Sequence, residues 1–406
     1  MTKYIIYFFI IGFFSLISVG DSLGLSDSLS FEEREKELLD SILNSPDNYE
    51  LYRKLGKHYR VNKIYEKSLE SYNKSLEVKE NYGAYLGRAV TLFESGDTVS
   101  AFRDFDKAVE INPNDTAYGT RAAYRFEIYP VDSVMNDVNR ALTINPGLEQ
   151  TLALRSLLYY SNGMIDSLQN DIETLKRVNP RNVSAYYWQA QLSYDEESYL
   201  NALSNIEKAI ELEKETIGFY FLKGKINYSM SKFEEAIKDF RIYDKDENND
   251  AETKYYMGFS YYYIDNYLSA IKYFKQVEKI DSTYMDPFGF YALAFSYYEE
   301  NDTVNSIKYL KKSLALDDKE ANSLNLLGVI LTEQKDYKNA EKYLKEAVQH
   351  MAEGVYLPYI NLAVLYEELR NYDEAIKYLR LAKAKNLENA EDYERLIMGL
   401  MEEKNK

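Results

Sequence analysis

The sequence contains no cysteine and only two histidines, His58 and His350, among its 406 residues. Without cysteine the chain forms no disulfide, thiolate nucleophile, cysteine-ligated zinc site or iron–sulfur cluster. It also lacks the cysteine that a bacterial lipoprotein anchor requires. The two histidines are far apart in the sequence, which disfavours histidine metal sites and catalytic triads. The sequence therefore predicts a protein without a metal, a cofactor or an enzymatic activity.

Residues that interrupt helices are scarce as well, because the chain has 7 prolines and 17 glycines against 41 tyrosines. Few helix breakers favour long helical runs joined by short turns. With 49 basic and 66 acidic residues the net charge is −17, and such a chain repels nucleic acid and anionic membrane surfaces. Hydrophobic residues still make up 46% of the sequence, which excludes a wholly disordered chain.

The first twenty residues have the layout of a signal peptide. Lys3 supplies a positive charge, an apolar run follows through Val19, and small residues at 18 and 20 precede a cleavage point at Asp21. We predict that residues 1–20 are removed and that the protein is exported to the periplasm or cell envelope. The alternative is an uncleaved membrane anchor, although the apolar run is shorter than the roughly 20 residues that span a bilayer.

Residues 21–48 are predicted to form a flexible leader and a capping helix. The beginning of this segment is rich in Ser, Asp and Gly. Ser30 and Glu33 then make a capping-box pattern ahead of a helix that runs to about Leu43. This helix either covers the end of the array that follows or serves as a docking arm.

A pattern of small and large residues recurs at steps of 33 to 36 residues through most of the chain. In each copy a small residue lies beside a large apolar one in a first predicted helix, as in Leu55-Gly56-x-x-Tyr59. A second small residue opens the second predicted helix of the clearest copies, at positions 68, 101, 202, 236, 270, 306, 340 and 375. Two weaker copies fill the gap between 101 and 202. A fixed period of this length is typical of repeat architectures.

The pattern resembles the tetratricopeptide repeat family, with ten copies over residues 49–388 and a solvating helix over 389–406. The resemblance implies an all-α fold, a right-handed α-solenoid (superhelix) of paired antiparallel helices whose first helices line a concave groove. The small residues let the two helices of a copy approach closely, and neighbouring copies share one core. Copies three and four depart from the family by carrying Val138 and Ile172 in place of an aromatic residue. Since Tyr129-Pro130 also interrupts a turn, we expect an irregularity between about 115 and 180.

In the family, the second, fifth, ninth, twelfth and thirteenth positions of each copy face the groove. Carried over, mainly from the fifth and twelfth positions, these give an aromatic stripe spanning copies two to eight. The candidate partner-binding residues of this stripe are Tyr160, Tyr187, Tyr194, Phe221, Tyr228, Tyr255, Tyr262, Tyr263, Tyr291 and Tyr298. Tyrosine gives a large, stiff contact area together with a hydroxyl group. The alternative is that these rings pack between first helices as ordinary core.

Charged residues also fall at the groove positions of the family. Arg53, Lys57 and Arg60 make one mouth of the predicted groove basic and complete the set of candidate partner-binding residues. Thirteenth-position acids form a predicted ridge, namely Glu94, Glu127, Asp195, Glu299, Glu333 and Glu368. Solvated surface is the alternative for both groups. The family's carboxylate clamp is excluded, because Leu86 and Val90 stand where copy two would need polar clamp residues.

The sequence thus predicts a non-catalytic protein–protein interaction scaffold of the bacterial cell envelope. A protein or peptide partner is expected to lie along the aromatic groove, and no nucleic acid is expected to bind. A membrane would be a partner only if the signal segment is retained. A glycan-binding surface protein that uses the same tyrosines is the alternative.

Overall fold

A computed structural model describes residues 29–126, 128–246, 250–352, 354–386 and 388–405. The predicted signal peptide, nearly all of the predicted leader and Glu127 of the acidic ridge lie outside these residues. Throughout the described ranges the regular structure is helical and contains no strand. The predicted all-α fold is therefore confirmed.

The helices of the first half of the chain are α1 (Phe31–Asn44), α2 (Tyr49–Val61), α3 (Tyr65–Val78), α4 (Tyr82–Glu94), α5 (Thr98–Ile111), α6 (Asp115–Arg125), α7 (Val131–Ile144), α8 (Glu149–Ser161), α9 (Ile165–Val178), α10 (Val183–Asp195) and α11 (Tyr199–Leu212). Those of the second half are α12 (Gly218–Ser229), α13 (Phe233–Tyr243), α14 (Ala251–Tyr263), α15 (Tyr267–Ile280), α16 (Pro287–Glu299), α17 (Thr303–Leu316), α18 (Ala321–Glu333), α19 (Tyr337–His350), α20 (Leu357–Glu368), α21 (Tyr372–Lys385) and α22 (Ala390–Lys404). Helices α2 to α21 form ten hairpins, here copies one to ten, each with a first and a second helix.

The turn inside each hairpin explains where one helix ends and the next begins. One residue of this turn has a positive φ in every copy except the third, the residues being Lys63, Gly96, Gly163, Glu197, Ser231, Asp265, Asn301, Lys335 and Arg370. Glycine adopts this left-handed conformation without strain, so the other residue types are held there by the packing of the two helices. Copy three has Tyr129-Pro130 at the corresponding place, and its first helix, α6, is only 11 residues long. The predicted irregularity is thus confined to this turn.

Close contact between the two helices of a copy depends on a small residue in the first helix. A Cβ added at Gly258 would lie 2.8 Å from the Phe274 ring, and one at Gly224 would lie 2.6 Å from the Phe240 ring. Both rings are fully buried, so neither has room to move aside. The predicted pairing of a small residue with a large one across the hairpin is therefore confirmed in copies six and seven.

The chain falls into two compact units, which divide within α12. Unit 1 ends at Phe219 and holds copies one to five, and unit 2 begins at Tyr220 and holds copies six to ten. In unit 1, α1 begins with the predicted capping box, since Ser30 Oγ accepts a hydrogen bond from the Glu33 backbone while the Glu33 carboxylate accepts one from the Ser30 backbone. In unit 2, α22 buries Tyr393, Ile397 and Leu400 in the same core cluster as copy ten.

Candidate partner-binding surface

The basic residues predicted at the mouth of the groove are engaged within unit 1. Arg60 is only 9% exposed, and its guanidinium donates to the Glu94 carboxylate of copy two at 2.9 Å. Arg53 forms a 2.8 Å ion pair with Glu50, one turn earlier on α2. Lys57 is half-buried. These side chains join neighbouring residues and copies, and their role toward a partner stays a prediction.

The three tyrosines predicted in unit 1 differ in their exposure. Tyr187 is only 5% exposed, because its ring packs against the buried ring of Trp188 at 5.2 Å and against Phe219 at 5.6 Å. Tyr160 is half-buried, and its hydroxyl donates to Asp195 at 2.9 Å. Tyr194 is also half-buried. Tyr187 therefore has little surface for a partner to contact, whereas part of the other two rings is accessible.

Two groove positions of copies two to four carry small or aliphatic residues. The fifth and ninth positions of copies two to four are buried, and they are Leu86, Val90, Gly119, Ala123, Ala153 and Leu157. Phe93, at the twelfth position of copy two, packs edge-on against Tyr124 and Phe102. In copies two to four the aromatic residues of the predicted stripe are therefore confined to the twelfth position.

Unit 2 contains a continuous network of rings on its first helices. We name it the aromatic platform, and it consists of Tyr228, Tyr255, Phe259, Tyr262, Tyr263, Phe288, Tyr291, Phe295 and Tyr298. Six of these nine rings are predicted candidates, and the structure brings them together. Tyr263 is the most open, with 42% of its surface exposed, and Phe259 is the most buried, at 2%.

Three platform rings are absent from the candidates predicted by sequence. Phe259 and Phe295 occupy the ninth position of their copies, and Phe288 occupies the second. Phe259 stacks on Phe288 at 5.5 Å with the two planes nearly parallel, which joins copies seven and eight. These three residues could have been predicted from the sequence, because the second and ninth positions both face the groove in the family.

Phe221, a predicted candidate, lies outside this ring network. It packs against Tyr243 at 5.0 Å, and the ammonium group of Lys225 lies 5.5 Å from its ring. Lys225 is 3% exposed and forms a 3.6 Å ion pair with Glu252. Phe221 therefore covers a buried charged pair, and only part of its ring faces solvent.

Two hydroxyl groups of the platform are bound to acids of the next copy. Tyr298 donates to Glu333 at 2.5 Å, and Tyr255 donates to Asp286 at 3.0 Å. Burial and then the bond to Glu333 raise the pKa of Tyr298 to about 12. Burial and the charge of Asp286 likewise raise the pKa of Tyr255 well above its usual value. These tyrosines are neutral at physiological pH. Because Glu333 belongs to the predicted acidic ridge, the ridge is part of the same surface as the platform.

The link from a twelfth position to the acid at the thirteenth position of the next copy recurs in both units. Arg60 and Glu94 make it in copies one and two, and Tyr298 and Glu333 make it in copies eight and nine. Tyr160 and Asp195 make it between copies four and five. The aromatic stripe and the acidic ridge, predicted as separate features, therefore hydrogen-bond to each other.

Two further classes of site are missing from the described part of the chain. No group of three or more histidine or acidic residues there has the geometry to hold a metal ion. Within the same ranges, no helix is both long and apolar enough to cross a bilayer.

Comparison with known protein families gives two matches. The tetratricopeptide repeat profile matches residues 319–385, and the profile of anaphase-promoting complex (cyclosome) subunit 3 matches residues 162–241. No curated protein sequence matches the chain.

Solved structures similar to this chain include a tetratricopeptide repeat protein from Parabacteroides merdae, which is 21% identical over 63% of this chain and 98% of its own, with a TM-score of 0.44. The Cut9–Hcn1 hetero-tetramer of the anaphase-promoting complex has a chain that is 14% identical over 93% of this chain and 88% of its own, with a TM-score of 0.42. YrrB, described as a TPR protein with an unusual peptide-binding site, is 16% identical over 46% of this chain and 95% of its own, with a TM-score of 0.41.

The profile matches fall on copies whose hairpins share the same turn and the same close helix contact. The match at 319–385 covers the helices of copies nine and ten, and the match at 162–241 lies across copies four to six. The period read from the sequence, the observed hairpins and these matches together identify the chain as a tetratricopeptide repeat protein.

Proposed function

We propose that this tetratricopeptide repeat protein is a non-catalytic scaffold that binds a segment of a partner protein on the aromatic platform of unit 2. Proteins built from this repeat generally bind protein or peptide partners, and the fold alone does not name the ligand. The single observation that carries the proposal is the continuity of nine rings on the first helices, which include the open ring of Tyr263. Interfaces are enriched in such rings, because they bury a large area at a low entropic cost.

The proposed location is the bacterial cell envelope, after export through the amino-terminal signal sequence. Support comes from the sequence of residues 1–20, with its charged start, apolar run and small residues before Asp21. Mass spectrometry of the protein recovered from an envelope fraction tests this: the mature chain should begin at Asp21. A chain that retains Met1 in the cytoplasmic fraction would contradict it.

Panning of a random dodecapeptide phage library on the purified protein tests the binding function. The protein should enrich a set of related peptides. Tyr263→Ser should lose them, because it removes the most exposed ring of the platform. Tyr129→Ser is the matched control, since Tyr129 is 39% exposed and lies in unit 1. Circular dichroism spectra and melting points of the three proteins must agree before enrichment is compared.

Three results distinguish the possibilities. Enrichment that Tyr263→Ser abolishes and Tyr129→Ser preserves supports the platform. Enrichment that survives both changes places binding elsewhere on the protein. If no peptide is enriched and a heat-treated, protein-free polysaccharide binds instead, the proposed binding of a protein segment is refuted and the glycan alternative replaces it.

A further inference from the structure

The platform lies among acidic residues. From Asp281 to Asp302, the stretch that contains α16, the sequence has five carboxylates and no lysine or arginine. The preceding first helix, α14, has one cation, Lys254, which is 8% exposed and ion-paired with Asp244. The first helices of copies seven and eight therefore present rings and acids without an exposed cation.

Several of these acids are open to solvent beside the rings. Asp265, Glu299 and Glu333 are all exposed. The exposed Glu299 carboxylate makes no salt bridge or hydrogen bond to any residue of the described ranges. Burial raises the pKa of Tyr262, and the charges of Asp265 and Glu299 add to this rise. The electrostatic potential over the platform is therefore negative, and a positively charged group would be attracted to it.

Tyrosines on the second helices show how this chain pairs rings with cations. The ammonium group of Lys272 lies 5.4 Å from the centre of the Tyr273 ring, and that of Lys312 lies 5.2 Å from the Tyr309 ring. Lys377 lies 5.1 Å from the Tyr378 ring. Cations over tyrosine faces are attracted by the quadrupole of the ring.

The platform tyrosines of copies seven and eight lack this partner. None of the five, namely Tyr255, Tyr262, Tyr263, Tyr291 and Tyr298, has a lysine or arginine of the described chain over its ring. Internal cations thus lie over tyrosines outside the platform, on second helices and also at Tyr256 and Tyr261 of α14, whereas these five platform tyrosines have none. Such a surface is complementary to a cation supplied from outside.

We infer that the segment bound on the aromatic platform is basic, with arginine or lysine side chains placed over the tyrosine rings and neutralised by Glu299 and its neighbours. Arginine suits such a site well, because its planar guanidinium stacks on rings and donates hydrogen bonds to carboxylates from its edge. This assignment rests on the proposed function, since it names the chemistry of the segment that the platform binds. It reverses the charge of the family's carboxylate clamp, which uses basic residues to bind an acidic terminus.

The test uses three fluorescein-labelled dodecapeptides and the purified full chain, with binding followed by fluorescence anisotropy. One peptide has arginine at every third position in a Gly-Ser background, the second has citrulline at the same positions, and the third has glutamate. Citrulline keeps the shape of arginine and removes its charge. The arginine peptide should bind at least about tenfold more tightly than the citrulline peptide, and its Kd should rise with added salt as charges are screened.

Two platform variants separate a specific site from general attraction to an acidic protein. Tyr263→Ser leaves the net charge unchanged and should raise the Kd of the arginine peptide about fivefold, the value for a cation–ring contact near 1 kcal/mol. Glu299→Gln should raise it by a similar factor. Tyr129→Ser and Glu235→Gln are the matched controls, because Glu235 is equally exposed but lies on the second helix α13, and both should bind as the unchanged protein does.

The possible outcomes separate this inference from the function on which it rests. If the citrulline peptide binds as well as the arginine peptide, or if all four variants weaken binding alike, no basic site exists on the platform. If library panning enriches peptides without lysine or arginine, the scaffold function stands and the basic segment is refuted. If panning enriches nothing and none of the three dodecapeptides binds, both are refuted.

Discussion

At the scale of single residues, the packing of copies one, six, seven and nine depends on a glycine, which has no Cβ, at one position of the first helix. Gly258 has no Cβ, and the ring of Phe274 occupies the space that a Cβ would take. The same relation joins Gly224 to Phe240 and Gly328 to Leu344. Since these partners are fully buried, an added methyl group would displace a packed side chain rather than a mobile one.

A glycine-to-alanine substitution therefore has opposite effects at two helical sites. Gly258→Ala should lower the free energy of unfolding by about 1 to 3 kcal/mol, the usual cost of overpacking. Gly399→Ala, in α22, should raise it by about 0.5 to 1 kcal/mol, because no atom lies near the new Cβ and alanine favours the helix. Urea denaturation followed by circular dichroism measures both. Equal midpoints for the two variants would contradict the packing described here.

At the scale of helices, ion pairs link successive copies in both units. The bridging group described here is an arginine in unit 1 and a glutamate in unit 2. In unit 1, Arg121 donates to Asp137 of its own copy and to Asp106 of the copy before it. In unit 2, Glu278 on α15 accepts from Lys275 of the same helix and from Lys312 on α17 of the next copy. Each carboxylate or guanidinium bridges two copies, and so supports the stacking on which a repeat array depends.

The link at Glu278 predicts a pH dependence of stability. Burial raises the pKa of Glu278, but the hydrogen bonds from Lys275 and Lys312 outweigh it and lower the pKa to about 2, from a usual 4.5. A carboxyl whose pKa is lower in the folded state stabilises the fold above its unfolded pKa. That stabilisation is fully present above about pH 5 and is lost as the pH falls from 4.5 toward 2.

Comparison of Glu278→Gln with the unchanged protein measures this effect. At pH 7 the variant should be less stable by about 1 kcal/mol, a modest value because Glu278 is partly exposed and water screens the pair. This difference in the free energy of unfolding between the two proteins should narrow steadily as the pH is lowered from 4.5 to 2.5. Glu235→Gln is the control and should show no gap at either pH. A gap of constant size from pH 7 to pH 2.5 would mean that the loss comes from packing instead.

At the scale of the whole molecule, the excess of acids over bases is large. The net charge of −17 is spread over both units, and most charged side chains lie on the surface. Like charges at this density repel one another in the compact state. Since individual surface ion pairs contribute little, we expect this repulsion to dominate the response of the protein to salt.

Added salt should therefore stabilise the protein at neutral pH. Raising NaCl from about 10 to 200 mM at pH 7 should increase the Tm by about 2 to 4 °C, which corresponds to about 1 kcal/mol for a unit of this size. Near the sequence pI of about 4.8, where the net charge vanishes, the increase should disappear. A decrease in Tm with salt at pH 7 would show that attractive ion pairs outweigh the repulsion.

The amino-acid sequence by itself determined the repeat period, the helical hairpins and the pairing of small with large side chains. These features are local, because a hairpin brings together residues such as Gly258 and Phe274 that are only 16 positions apart. The capping box at Ser30 and the irregular turn at Tyr129-Pro130 could be predicted for the same reason. Each depends on a few adjacent residues and on no distant contact.

Only the tertiary structure decided which rings are open and which acids they bind. Tyr187 and Tyr263 are both groove tyrosines by sequence, yet one is 5% and the other 42% exposed. The difference arises from how the neighbours are placed: Trp188 and Phe219 pack against Tyr187 and bury it, whereas the rings around Tyr263, among them Phe233 and Phe259, leave much of its surface open. Likewise, the bond from Tyr298 to Glu333 spans two copies. Exposure and such pairings are set by how successive hairpins stack, which the pattern within a single repeat does not contain.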